Sequence, residues 1–321
     1  MGSPKPGYTP GLSEDQTVQR IRHTLGGGIE APGPADDAAV VSVPGGGSVV
    51  VSVDSVVEGV HVDLGLCSPA DVGWKALMGA LSDLAAMGAR PLGALVALCV
   101  PESAERGLVS LGVMEGVAEA SRESACPVVG GDVSTASVLV VAVTVLGTVE
   151  GGTAVPRHGA LPGDVIFVTG PCGASAAGLR VLRAGGADGP GEAPLAAAYR
   201  RPWARLAEGE AARRSGAHAM IDVSDGLALD LHRLADASEV GFVLDAVPMV
   251  EGATLAEALG GGEDYELLVV IGPADVDDYR ERCAAAGMRS PYGIGVVVAD
   301  QADRRLGDEA LGRLGWQHTV G

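Results

Sequence analysis

Positions 222–230 read DVSDGLALD and set three carboxylates close together in a chain otherwise rich in Ala, Gly and Val. Carboxylates are hard oxygen donors, suited to Mg2+ or Ca2+. Four further places set Asp against apolar surroundings: Asp36 and Asp37 at the start of the run AAVVSV, Asp54 at the end of VVVSVD, Asp83 inside ALMGALSDLAAMGA, and Asp132 after PVVGG. A carboxylate among Leu, Ala and Met is costly to bury unless it is paired or metal-bound. Each one alone also reads as a turn, cap or ion-pair residue, since Asp favours turns and caps on intrinsic grounds. As a group, with no Lys or Arg near them in sequence, these carboxylates would repel one another unless divalent cations lay between them.

An EF-hand is excluded, because counting from Asp222 its sixth position is Leu227 instead of Gly and its twelfth is Arg233 instead of Glu. The remaining hard cation is Mg2+, which keeps several waters and commonly arrives with phosphates. An acidic site accepts a polyanionic nucleotide only if such metals reverse the local charge. There is no G-x-x-x-x-G-K-[ST], and with lysine only at Lys5 and Lys75 no P-loop lysine is hidden elsewhere. The absence of a strand lysine and an H-R-D loop excludes a protein kinase, and the absence of G-x-S-x-G argues against a serine hydrolase. Six scattered histidines without H-E-x-x-H argue against zinc hydrolysis. GPCGASAAG, at 170–178, turns a strand into a helix with glycines, but not at Rossmann spacing.

The elements that must position these residues follow from pattern. SEDQTVQRIRHTL opens with a Ser13…Gln16 capping box. DDAAVVSV and SVVVSVD read as neighbouring strands across PGGG. Ser68…Asp71, with Pro69 between, opens a helix that Gly88 closes. LGALVALCV is a buried strand, 102–124 a helix, and SVLVVAVTVLGTV a long strand. Turn residues then dominate EGGTAVPRHGALPGD, which places a domain boundary at 152/153. The second half opens with the strand DVIFVTG and alternates helices and strands to about residue 298, with a surface loop at 184–194. The expected class is α/β (α+β) with two domains, 1–152 and 153–321.

A net charge of −19, without a basic cluster, excludes nucleic acid as a partner. Five widely spaced cysteines without a C-x-x-C pair fit a reducing cytoplasm. The N-terminal MGSPKPGYTPGLSEDQ lacks the apolar stretch of a signal peptide, and no apolar run approaches a membrane span.

DDAAVV, SVDSVVEGVH, WKALMGALSDLAAMGARP, VVGGD, RHGALPGDVIFVTG, DVSDGLALDL and GGEDYEL occur in one order. In that order they resemble the thiamine-monophosphate kinases of the aminoimidazole ribonucleotide synthetase-like superfamily, from about residue 13 onwards. The resemblance implies an N-terminal domain whose strands pair across a homodimer, a C-terminal α/β domain beside it, and ATP with Mg2+ between them. By motif position it implies metal ligation by Asp37, Ser52, Val53, Asp54, Asp83, Asp132, Asp222 and Asp225, with Asp54, Asp132 and Asp225 central to transfer. It also implies ATP contacts from Gly131, Asp132, Arg157 and Ser224, and thiamine monophosphate contacts from His61, Glu263 and Trp316.

The chain departs from the family's pattern at Ala35, Val53, Ala80, Pro156 and His158. A phosphate acceptor is already largely dianionic at neutral pH and needs no general base. Alignment and charge neutralisation then suffice for transfer. Two alternatives remain on sequence: a kinase of the same fold acting on another phosphorylated acceptor, and a catalytically silent nucleotide-binding relative. Asp230, one turn into the helix that Leu227 enters, reads as a solvated or cap-facing residue, and Ser224 or Asp225 as that helix's cap.

Overall fold

The computed structural model describes residues 12–25, 36–44, 46–102, 106–150, 153–187, 189, 191–317 and 319–320. Ala35, residues 151–152 at the expected boundary, the Ser13 side chain and the N-terminal eleven residues lie outside the described residues.

In chain order the elements begin with β1 (Leu12–Ser13), α1 (Glu14–Leu25), β2 (Ala39–Ser42), β3 (Ser48–Val57) and α2 (Pro69–Ala86). They continue with β4 (Arg90–Pro101), α3 (Arg106–Glu123), β5 (Val128–Ala136) and β6 (Val140–Thr148). The second half runs β7 (Val165–Val168), α4 (Ala174–Arg183), α5 (Glu192–Arg200), α6 (Leu206–Arg214), β8 (Ala219–Asp222) and α7 (Leu227–Ser238). After these come β9 (Gly241–Leu244), α8 (Leu255–Gly260), β10 (Leu267–Ile271), α9 (Val276–Ala285), β11 (Tyr292–Val298), β12 (Arg304–Leu306), β13 (Glu309–Ala310) and β14 (Thr319–Val320).

Strands from the first half form a five-stranded sheet in the order β2-β3-β6-β4-β5, and those from the second half a seven-stranded sheet in the order β13-β12-β9-β11-β7-β10-β8. The short β1 pairs with β14. In the first sheet only β4 and β5 run parallel, joined by the crossover through α3. β6 alternates with period two: Val141, Val143 and Val145 are fully buried while the residues between them are half-buried. β8 and β10 are buried at every position, as strands covered on both faces must be.

α2 joins the two sheets. It packs on α3, β3 and β6 on one side and on α6 and β8 on the other, so it is apolar nearly all round. Its start is the expected capping box: the Ser68 hydroxyl accepts from the Asp71 N–H and the Asp71 carboxylate accepts from the Ser68 N–H. α2 and α3 meet through glycines. A Cβ added at Gly73 would lie 1.9 Å from the Val113 carbonyl oxygen, and one at Gly116 would lie 1.8 Å from that of Ala70.

Several expected boundaries move. Asp54 lies inside β3, which runs on to Val57, and Asp132 lies inside β5. Both strands continue because their neighbours β6 and β4 offer paired backbone on past those residues. The loop expected at 184–194 gives way to α5 at Glu192. The sheet face turned away from α2 carries Val51, Val53, Thr144, Leu146, Leu95 and Ala97, with Val53 and Leu95 65% and 41% exposed. No helix among the described residues is long and apolar enough to cross a membrane.

Candidate active site

One cavity of about 740 Å3 opens where α2, β3, the end of β8 and the loop before β10 meet. Its lining includes Asp54, Asp83, Asp222, Ser224 and Asp225 towards one end, and His61, Tyr199, Glu263 and Trp316 elsewhere. Helical spacing explains the α2 contribution: Lys75, Gly79 and Asp83 follow one another at steps of four residues, with Ser82 three residues after Gly79, and so share a face. β8 ends at Asp222, from which Ser224 and Asp225 turn into α7.

Serines hold the carboxylates in place. The Ser52 hydroxyl donates to Asp83, the Ser82 hydroxyl to Asp222 at 2.6 Å, and the Ser224 hydroxyl to the other Asp222 oxygen at 3.1 Å. Burial, then the charges of its neighbours, pushes Asp83 well above the ordinary carboxylate range; Asp222 and Asp37 are the main neighbours. Asp222 is pushed the same way by burial and then by Asp37. Asp37 is paired with Arg157 through one oxygen, and its other buried oxygen has no hydrogen-bond partner. Asp36 accepts from the Arg157 backbone N–H at 2.6 Å. Buried anions that repel one another, one of them with an unpartnered oxygen, fit the donor chemistry of Mg2+. Among the described residues no three His, Cys, Asp or Glu groups close into an all-protein metal cage.

Asp132 and Gly131 are not brought to this cavity. The register rows run Asp54–Val143–Val96–Gly131 and Ser55–Ala142–Ala97–Asp132. Asp132 therefore stands three interstrand steps of about 4.8 Å from β3, on the face turned away from α2. Val53 also points outward and is 65% exposed, so its side chain lies apart from Asp54. Of the other departures, Ala80 is fully buried in the core while its neighbour Gly79 lines the cavity, and His158 is exposed.

Asp230 is not solvated. It is 1% exposed, and one carboxylate oxygen accepts from the N–H groups of both Asp225 and Gly226, 3.0 Å each. It thus takes the capping role expected of Ser224 or Asp225, and Gly226 occupies the N-cap without a side chain. Arg233 bridges Asp230, at 2.9 Å, and Asp225. At the other end, the imidazole Nδ1 of His61 accepts from the Val57 N–H at 3.0 Å. Trp316 is 52% exposed and its backbone N–H donates to the Asp225 carbonyl at 2.9 Å.

The segment GGEDYEL folds with Glu263 and Tyr265 both at positive φ, +65° and +50°, a left-handed conformation that non-glycine residues rarely adopt. This aims residues 263 and 265 into the cavity. Asp264, between them, accepts from the Gly173 and Ser175 N–H groups at the start of α4, at 2.6 and 3.1 Å. Glu263 pairs at 2.7 Å with Lys75, whose side chain is 1% exposed and lies 4.0 Å over the Tyr199 ring. Sequence reasoning overlooked Lys75, Ser82 and Tyr265. The helical spacing from Lys75 to Asp83 was the available signal for the first two.

Burial pushes the Asp264 carboxyl up to about 7, against the opposing pull of its backbone donors. A carboxyl whose folded value lies above its ordinary 3.8 takes up a proton on folding between the two. The contribution of Asp264 to stability is therefore greatest at acid pH and falls as pH rises towards about 7. Asp264→Asn, which sets an amide N–H against a backbone N–H, is expected to lower the melting temperature and remove this part of the slope. Melting curves across pH 4 to 8 check it, and an unchanged slope would count against Asp264 as its source.

The chain matches the AIR synthase related protein N-terminal domain over residues 35–149 and the corresponding C-terminal domain over residues 162–307. It is 37% identical to the thiamine-monophosphate kinase of Bacillus subtilis over 267 residues, covering 79% of this chain and 81% of that one. It is 36% identical to the thiamine-monophosphate kinase of Mycobacterium tuberculosis over 300 residues, covering 89% and 85%. The solved structure of AaThiL complexed with AMPPCP and TMP superposes with a TM-score of 0.84 at 30% identity, over 96% of this chain and 97% of that one. With both domains matched and such relatives aligned along most of their length, the chain belongs to the AIR synthase related proteins and, within them, to the thiamine-monophosphate kinases.

Proposed function

We propose that the protein transfers the γ-phosphoryl group of ATP to thiamine monophosphate, giving thiamine diphosphate by direct in-line displacement, with Mg2+ and as a homodimer divided at 152/153. The observation that carries this reading is the single cavity in which aspartates from both halves stand beside Glu263, His61 and Trp316. The carboxylates Asp37, Asp54, Asp83, Asp222 and Asp225 would hold Mg2+, helped by the Ser52 hydroxyl and the Val53 carbonyl. When bound, Mg2+ would supply charge neutralisation at the transferred phosphates. Ser224 and Arg157 contact ATP, the latter by bidentate donation. Glu263 faces the thiazolium cation, Trp316 meets it through its ring face, and His61 contacts the acceptor. Lys75 fixes Glu263 in place, and the acceptor phosphate attacks without a general base because it is already anionic.

The homodimer reading is supported by the exposed Val53 and Leu95 on the sheet face turned away from α2. It is supported equally by the position of Asp132 on that face, beyond reach of its own chain's Asp54. In this reading Gly131 and Asp132 serve the partner's nucleotide. Incubation with ATP, Mg2+ and thiamine monophosphate should yield thiamine diphosphate by chromatography; no product above a no-enzyme control would refute the assignment, and product only with another phosphorylated acceptor would change the substrate. Asp54→Asn and Asp132→Asn should each be inactive alone. Refolded together they should regain activity, because the mixed dimer holds one intact pair. No recovery on mixing would place both residues in one chain's site.

A further inference from the structure

Tyr265 is the buried group that these roles leave unused. It is 7% exposed, lines the cavity, and is held in a left-handed conformation that its neighbours must enforce. Its backbone N–H donates to the Val223 carbonyl at 2.9 Å, which ties the residue to the turn carrying Ser224 and Asp225. Its hydroxyl opens onto the cavity and has no hydrogen-bond partner among the described residues. A hydroxyl that faces a cavity bonds water until a ligand oxygen displaces that water, so an acceptor supplied by a ligand is its natural complement. A phenol at neutral pH carries its proton and donates.

The position of that hydroxyl is set by α2. A Cβ added at Gly79 would lie 3.1 Å from the Tyr265 hydroxyl and 3.1 Å from Asp54 Oδ2. The glycine thus leaves open the space between the phenol and the carboxylate. Glu263 and Asp54 are the two charges that act most strongly on the phenol, so its oxygen sits between the end assigned to the acceptor's cation and the end assigned to the metals. An acceptor that spans those ends brings its phosphate past the hydroxyl.

We propose that Tyr265 donates a hydrogen bond to the acceptor phosphate and thereby orients the attacking oxygen. This assignment rests on the phosphoryl-transfer reading above. An acceptor phosphate oxygen forms the bond to the γ-phosphorus, the bond from that phosphorus to the βγ-bridging oxygen breaks, and the electron pair leaves with ADP. Tyr265 keeps its proton throughout.

Tyr265→Phe deletes only the hydroxyl. Its kcat/KM for thiamine monophosphate should fall about 10- to 100-fold, the range for a lost hydrogen bond to a charged group. Unphosphorylated thiamine, measured as a competitive inhibitor, should keep its affinity within about twofold, since the contact is to phosphate alone. The melting temperature should hold, because the deleted hydroxyl faces the cavity and makes no hydrogen bond within the protein. An unchanged kcat/KM, an equal loss of thiamine affinity, or a lowered melting temperature would each overturn the assignment. If the wild type forms no thiamine diphosphate, the phosphoryl-transfer reading fails and the role of Tyr265 falls with it. If the wild type turns over and the Phe variant matches it, only the role of Tyr265 fails.

Discussion

Asp54→Asn lowers kcat by about 1,000-fold or more, the scale reached when a preorganised charge at a phosphoryl or oxyanion site is removed, and leaves the fold intact. Asn keeps the volume of Asp and can still accept at the oxygen that receives the Ser55 N–H at 2.7 Å. The other oxygen, beside Gly79 and Tyr265, changes from an anion to a neutral group. Metal-free, the variant should melt no lower than wild type, because Asp54 is one of the charges that make ionisation of Asp83 unfavourable. Steady-state rates and melting curves taken together check both halves of this expectation. Wild-type turnover would remove Asp54 from the metal site, and a collapsed melting transition would show that its role is structural.

Gly116→Ala should unfold the protein more readily, by about 3 kcal/mol, the upper part of the range for forcing atoms into a packed interior. The new methyl would fall 1.8 Å from the Ala70 carbonyl oxygen, at the first turn of α2. Backbone cannot yield there as the end of a flexible side chain can. The helices must separate, and α2 carries Lys75, Gly79, Ser82 and Asp83 with it, so activity should fall as well. Gly107→Ala is the control. It lies in the same helix with open space around its would-be Cβ, and should be neutral or stabilising by up to about 1 kcal/mol through the entropy of the unfolded chain. Denaturant titrations of the pair separate packing from helix propensity, and equal midpoints would refute the close-approach argument.

The elements bearing strong pattern were legible in the sequence. The capping box at Ser68 and Asp71 and the β-branched run of β3 fall where their residue types put them. Strand ends were less legible, because whether β3 stops at Asp54 or runs to Val57 depends on β6, more than eighty residues away. Asp83, inside an apolar helix, could be singled out by composition alone. Asp230 could not, since its burial comes from backbone donors that exist only once the turn before α7 has formed. Tyr265 carries no pattern signal beyond its place in GGEDYEL. Its left-handed backbone and its place on the cavity wall appear only in three dimensions.

The two-sided burial of α2 also sets a timetable for synthesis. One flank is covered by β3, α3 and β6, the last of which ends at Thr148, but the other needs α6 and β8, which end at Arg214 and Asp222. At a ribosomal rate of about 5–20 residues per second, that interval lasts on the order of ten seconds. Throughout it the nascent chain displays a strip of Ala85, Ala86 and their neighbours that later packs with Ala212, Met220 and Leu267. Newly made chains are thus most open to chaperones and to self-association before the helix's second flank emerges.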